Sequence, residues 1–235
     1  MFCPLGLKNA QGRRRPETWR YTILCKASGA VDMATVRHNV ACRAVDKPLR
    51  EGDMGIWLIL RNFGKAEDEP EEKTVPSRML PALTQDRLAH NKPDFVIVKG
   101  WPRNLPPPLE PIPAGTKRLA DPQITIKIIM IEVKYSDDMH TLERHEKAFN
   151  LYSGPDKLTG KLRDAGWNVD DEIATTVVGY RAVVSKKNVD SYETIGIKGK
   201  KAKETLQDNL AMSAAKWLHS IVNLTRKPRA QAATR

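Results

Sequence analysis

The chain has 235 residues, 40% of them hydrophobic, which is enough to bury one mid-sized core. Its formal net charge of +11 and pI near 9.6 favour polyanionic partners, nucleic acid first. No run is long enough to cross a membrane, the N-terminus lacks the continuous apolar stretch of a secretory signal, and the 3 cysteines, Cys3, Cys25 and Cys42, exclude a disulfide framework. That cysteine usage fits a reducing, intracellular compartment; in a eukaryote the nucleus is the location expected.

Residues 1–30 carry no strong periodic pattern and are expected to be poorly ordered. Cys3 and Cys25 resemble remnants of a zinc knuckle, but a closed tetrahedral site needs four ligands, so zinc is not expected. From Asp32 to Leu49 the spacing predicts a helix, with Asp32 as N-cap and Val36, Val40 and Ala44 on its inner stripe. Pro48 should end or bend it. The helix carries Arg37, His38 and Asn39, with Cys42 one turn beyond His38. Its polar face reads either as a solvated surface or as a contact to nucleic acid or an active centre.

Ile56 to Leu60 reads as a first strand. The charged, proline-broken stretch that follows is a surface loop, and 65–92 is treated as an insertion. Lys92 to Val98 is a second strand, with Asp94 as its first polar residue. The proline-dense segment after Gly100 forbids a central strand, so 100–123 is a second insertion, best read as a hairpin.

Ile124 to Tyr135 is dense in β-branched residues, as expected of a strand buried on both faces. It nonetheless carries Glu132 and Lys134, two apart and therefore on one face. A salt bridge where the strand meets water would account for the pair, and so would a reactive site. Ser136-Asp137-Asp138 starts a helix that runs from His140 to Tyr152, with Leu142, Phe149 and Tyr152 inward. Asp156 is the expected cap of a short helix carrying Leu158, Leu162 and Ala165, and Gly166 stops it. Ile173 to Val184 is a further apolar strand, and strand–helix–strand at this spacing makes it a parallel neighbour of the Glu132 strand. The basic run Lys198–Lys203 leads into a long helix with Leu206, Leu210, Ala214, Trp217, Ile221 and Leu224 on one stripe. A basic, disordered tail is expected over 226–235.

Pro93-Asp94 with Glu132-Val133-Lys134 resembles the PD-(D/E)XK motif of the restriction-endonuclease-like nucleases. The two acids stand 38 residues apart, and the proline-rich insertion accounts for that length. The order of Cys-Pro-Leu near the start, Arg37-His38-Asn39 on a helix, Lys92-Pro93-Asp94 and the Glu-Val-Lys strand is similar to the C-terminal endonuclease region of site-specific non-LTR retrotransposon proteins. That resemblance implies a restriction-endonuclease-like α/β fold over 31–225, a mixed central sheet flanked by helices. It further implies metal-dependent hydrolysis of DNA phosphodiester bonds, nicking target DNA for element integration. Asp94, Glu132 and Lys134 would be catalytic. Asp94, Glu132 and the Val133 backbone carbonyl would hold Mg²⁺ or Mn²⁺, hard cations that take oxygen ligands. Arg37, His38, Lys147, Tyr152 and Lys157 are candidate substrate contacts.

The chain departs from that group in two respects. Gly6 and Arg20 stand where the knuckle would carry Cys and His, and no reverse transcriptase is present. The partner implied is DNA, together with the reverse transcriptase portion of a longer polyprotein of which this chain would be a fragment or a decayed copy. A catalytically inactive DNA-binding remnant and a same-fold nuclease of DNA repair are the alternatives.

Overall fold

The computed structural model describes residues 28–51, 56–61, 75, 79–80, 88, 92–101, 105–106, 108–119 and 121–232. The knuckle-like segment of 1–27 and most of the 65–92 insertion lie outside the described residues. Five helices longer than one turn are present among them: α1 (Ser28–Glu51), α2 (Thr141–Tyr152), α3 (Leu158–Asp164), α4 (Asn188–Thr194) and α5 (Lys200–Ala232). The strands are β1 (Ile56–Arg61), β2 (Phe95–Lys99), β3 (Lys117–Arg118), β4 (Asp121–Thr125), β5 (Lys127–Ser136) and β6 (Val169–Gly179). The class is mixed α/β.

A four-stranded sheet runs in the order β1-β2-β5-β6, and β3 and β4 form a separate hairpin. β1/β2 and β2/β5 are antiparallel, while β5/β6 are parallel, as the strand–helix–strand spacing predicts. One core lies on each face of this sheet. Ile129, Ile131, Val133 and Tyr135 of β5 pack with Ala41, Val45, Leu206 and Leu210 of α1 and α5. Ile128 and Met130 pack with Tyr152, Leu158 and Leu162 of α2 and α3. That two-sided burial explains why β5 is an unbroken apolar run rather than an alternating one.

Several expectations are corrected. The strand expected over Ile124–Tyr135 is divided at Ile126, whose N–H bonds Thr116 O at 2.8 Å. Ile124 and Thr125 therefore belong to the hairpin, and β5 begins only where Lys127 pairs with Lys99. α1 starts at Ser28, ahead of Asp32, and continues past Pro48 to Glu51. Leu49 is buried there, and Arg50 Nε bonds Asp46 Oδ2 at 2.9 Å, so packing and an i,i+4 pair hold the final turn despite the proline.

The inner stripe of α1 is Arg37, Ala41, Cys42, Val45 and Leu49, while Val36 is 53% exposed. This displacement follows from Arg37. Its guanidinium Cζ lies 4.2 Å from the Tyr135 ring centroid, 4.7 Å from Tyr180 and 4.2 Å from Trp217. A delocalised, weakly hydrated cation is suited to burial against aromatic faces, and the cage ties α1, β5 and α5 together.

On α2, Leu142 (63%) and Phe149 (41%) are exposed, and the buried residues are His145, Ala148 and Tyr152. His145 Nε2 meets Ser185 Oγ at 3.0 Å, and that polar pair sets the rotation of the helix. Lys157, not Asp156, occupies the N-cap of α3 and makes no side-chain cap bond. Gly166 follows α3 at φ +88°, the left-handed stop expected of it.

β6 ends at Gly179 instead of Val184, because a turn through Ala182 (φ 67°) reverses the chain and returns Val184 to bridge Val178. α4, not anticipated from the sequence, lines the outer edge of β6. Asn188 exchanges two side-chain bonds with the backbone of Val177, and Ser191 two with that of Thr175. These bonds satisfy an edge that would otherwise be open to another strand. α5 continues helical through Ala232, into the stretch from 226 expected to be disordered.

Replacing Arg37 with alanine removes the cation from three aromatic faces and leaves a cavity. Urea denaturation should show a loss of about 3 kcal/mol; a change below about 0.5 kcal/mol, the usual range of surface substitutions, would mean that the cage contributes nothing.

Candidate functional site

β2 and β5 bring the two acids together. The register Phe95↔Ile131, extended by one residue, sets Asp94 opposite Glu132. Asp94 N–H donates to Glu132 Oε2 at 3.2 Å. β2 begins only after Asp94, so the backbone of Val133 lacks a strand partner on that side. The Asp94 carboxylate takes that place: Oδ2 accepts from Val133 N–H at 2.6 Å. Glu132 and Lys134 continue the face of Ile128 and Met130 towards α2. Lys134 Nζ pairs with Glu132 Oε1, and the Tyr152 hydroxyl lies 3.3 Å from Glu132 Oε2 and 3.2 Å from Lys92 O.

His38 enters from α1. Its Nε2 lies 3.1 Å from Asp94 Oδ1 and 3.2 Å from Val133 O. Asp94 and Glu132 are both buried, and Lys134 and His38 are half-exposed. The cluster therefore has a dry floor of carboxylates and an open side bearing the two bases.

Electrostatics follow from that geometry. Burial, then the neighbouring Asp94 charge, raise the Glu132 pKa to about 7, against the opposing pull of Lys134. Burial lowers the His38 pKa, but its hydrogen bond to Asp94 and the Asp94 charge more than offset this, so the net shift is upward. Tyr152 is held protonated by burial and by the charges of Glu132 and Asp94. It is a donor that steadies Glu132.

Two donor sets converge here. Asp94, Glu132 and the Val133 carbonyl offer hard oxygens of the kind Mg²⁺ takes. His38, Cys42 and Asp94 form a mixed set whose ligand atoms lie within 4.8 Å of one another. Cys42 Sγ, however, is 3.7 Å from both ring nitrogens of His38. Even so, that spacing is one that two ligands of a single ion can have, since the ion and not the second ligand lies on a lone pair, and this set too could hold a metal. A cation would relieve the repulsion from Asp94 that, after burial, raises Glu132, so the oxygen set fits a hard divalent ion.

Of the sequence candidates, Asp94, Glu132, Val133, Lys134, His38 and Tyr152 meet at this point, Tyr152 as a partner of Glu132. Arg37 does not; it is enclosed in the aromatic cage, one residue around α1 from His38. Lys147 is exposed, 3.8 Å from Glu143, and lines a hollow of about 310 Å³ with Ser136, Arg144 and Tyr180 at the C-terminal end of β5. Lys157 is exposed and turned onto Asn150 O.

Two backbone groups were not singled out in the sequence, although the Val133 carbonyl was. The Val133 N–H and the Lys92 carbonyl complete the site, and an acid placed just before a strand was their one legible signal. His145 also escaped notice. Burial lowers its pKa to about 4, with Lys187 adding to the effect, so it is a neutral partner of Ser185.

The chain matches no protein-family model and no curated protein. No helix among the described residues is long and apolar enough to cross a membrane.

The sign of the Glu132 shift gives a test. A carboxyl raised from 4.5 to about 7 contributes stability that is complete below pH 4.5 and lost as pH rises through about 7. In EDTA, wild type should lose thermal stability between pH 5 and 8 relative to Glu132→Gln, which cannot ionise. Equal losses in the two proteins, read by scanning fluorimetry, would show that Glu132 is ionised throughout that window.

Proposed function

We propose that the chain is a metal-dependent DNA endonuclease of the restriction-endonuclease-like class, of the kind carried by site-specific non-LTR retrotransposon proteins. The observation that carries the reading is the meeting of Asp94, Glu132 and Lys134 at the ends of two adjacent strands, with the Val133 backbone between them. Asp94, Glu132 and the Val133 carbonyl would hold Mg²⁺ or Mn²⁺. That ion, when bound, supplies charge to polarise a phosphate oxygen and to acidify a water.

Lys134, half-exposed and anchored on Glu132, is positioned to orient a water and to offset charge developing on the phosphate. Tyr152 keeps Glu132 in one rotamer. His38 sits on Asp94 Oδ1 and Val133 O, two of the oxygens assigned to the ion, so its proton and a cation compete for them. The net charge of +11 suits a polyanionic substrate.

One observation favours a second reading, a DNA-binding protein without catalysis. Each oxygen of the two acids already has a partner within the protein, as in a satisfied buried ion cluster. Supercoiled plasmid separates the two readings. Wild type with Mg²⁺ should convert it to the nicked form, and Asp94→Ala and Lys134→Ala should each be slower by about 100-fold or more. Folded wild type that fails to nick with either Mg²⁺ or Mn²⁺ would leave the second reading standing.

A pH dependence follows from the competing protons. Glu132 must lose one proton, and His38 releases another from the shared oxygens, so Mn²⁺ should bind more tightly at pH 8 than at pH 6. Calorimetry would measure this, and affinity independent of pH would remove these oxygens from the ligand set.

A further inference from the structure

A concavity rich in basic side chains lies apart from the carboxylates. It is a groove of about 900 Å³ between α1 and the start of α5. Arg43 and Lys47 line it from α1, and Lys198, Lys200 and Lys201 from the other wall. Among the described residues, no acidic and no aromatic side chain lines it. Lys200 pairs with Glu204 at 3.8 Å, both exposed, an interaction worth little in water. Lys203, one turn on, is turned away to Glu193. Gly199, at φ +84°, is the bend that brings the Lys198 backbone round so that these lysines face α1.

Like charges gathered in a concavity repel one another, and a polyanion removes that repulsion while releasing its own counterions. The chemistry of the lining narrows the polyanion. Single strands are gripped by stacking bases on aromatic rings, and none is offered here. The five cations read phosphates, and Thr205 and Asn209, the uncharged polar side chains of the described lining, can bond backbone oxygens as well.

The groove also lies away from the catalytic centre. At 100° per residue, Arg43 and Lys47 are about 140° and 180° around α1 from His38. A duplex lying on the Asp94–Glu132 cluster is therefore on the other side of this helix.

We infer that the groove between α1 and α5 is a second nucleic-acid site, one that takes the phosphate backbone of duplex DNA without regard to sequence and separately from the catalytic carboxylates. It stands whether or not the chain cleaves DNA. With the endonuclease reading, it would let one molecule hold a flanking duplex segment while another is at the active centre.

The test uses the full chain in EDTA, so that cleavage plays no part, with a labelled 20-base-pair duplex and a 20-nucleotide single strand as probes followed by anisotropy. The triple variant Arg43→Ala/Lys200→Ala/Lys201→Ala should bind duplex at least about tenfold more weakly at 0.1 M salt, with the slope of log K against log salt shallower by about 0.9 for each phosphate that the protein no longer neutralises. Lys200→Arg/Lys201→Arg keeps the charge and should bind like wild type. Melting curves establish that each variant is folded. Unchanged affinity and slope in the folded triple variant would overturn the inference. So would tighter binding of the single strand than of the duplex, or loss of duplex binding on Lys→Arg replacement, since that would indicate packing rather than charge.

Discussion

The bond from Val133 N–H to the Asp94 carboxylate does two jobs that are usually separate. Where β2 has not yet begun, it supplies the acceptor that a buried strand must have, and it holds an acid against the end of β5. The same bond therefore maintains the sheet and positions the site. Because β5 is buried on both faces, it cannot slide by a residue without driving Glu132 and Lys134 into the opposite core. The location of the acids is thus decided by apolar packing several residues away, chiefly Ile128 to Ile131 against two helical layers.

The cost of that arrangement is electrostatic. Two carboxylates close together in a dry floor disfavour double ionisation, and burial together with Asp94 pushes Glu132 well above its ordinary range. Lys134, His38, Tyr152 and the Asp94 N–H moderate the penalty without abolishing it. Here burial first, and the Asp94 charge second, raise Glu132 to about 7 against the pull of Lys134. Perturbation of this size at the mouth of a strand is commoner at sites that take up a ligand or a proton than at inert ion pairs. It supports the proposed endonuclease site, and the partners that every carboxylate oxygen already has support the remnant.

Much of this was legible in the sequence because it rests on short-range regularities. An uninterrupted β-branched run gave the buried strand, period-two alternation gave the common face of Glu132 and Lys134, and the spacing to the next apolar run gave the parallel crossover. What escaped was set by polar groups acting in the interior. The phase of α1 was displaced by one residue because Arg37, which a hydrophobic pattern assigns to solvent, is in fact the largest inward side chain of its turn. The face of α2 was chosen by His145 and Ser185, 40 residues apart, and not by Leu142 and Phe149. α4 left no apolar signature because it is fastened by Asn188 and Ser191 to strand backbone. A periodicity argument sees burial only when the buried atoms are apolar, and each of these elements is anchored by atoms that are not.

α1 connects these separate lessons. One turn of it carries Arg37 into the aromatic cage and His38 onto Asp94 and Val133, and its later turns carry Arg43 and Lys47 to the groove. A helix transmits position along and around its axis with little give, so the packing of Arg37 against Tyr135, Tyr180 and Trp217 also sets where His38 stands. Tyr135 lies two residues beyond Val133 on the same face of β5, so the cage grips the strand whose backbone carbonyl His38 meets. Arg37 thus reaches the site without touching it: its burial is what lets a neighbouring imidazole share two oxygens with the carboxylate cluster.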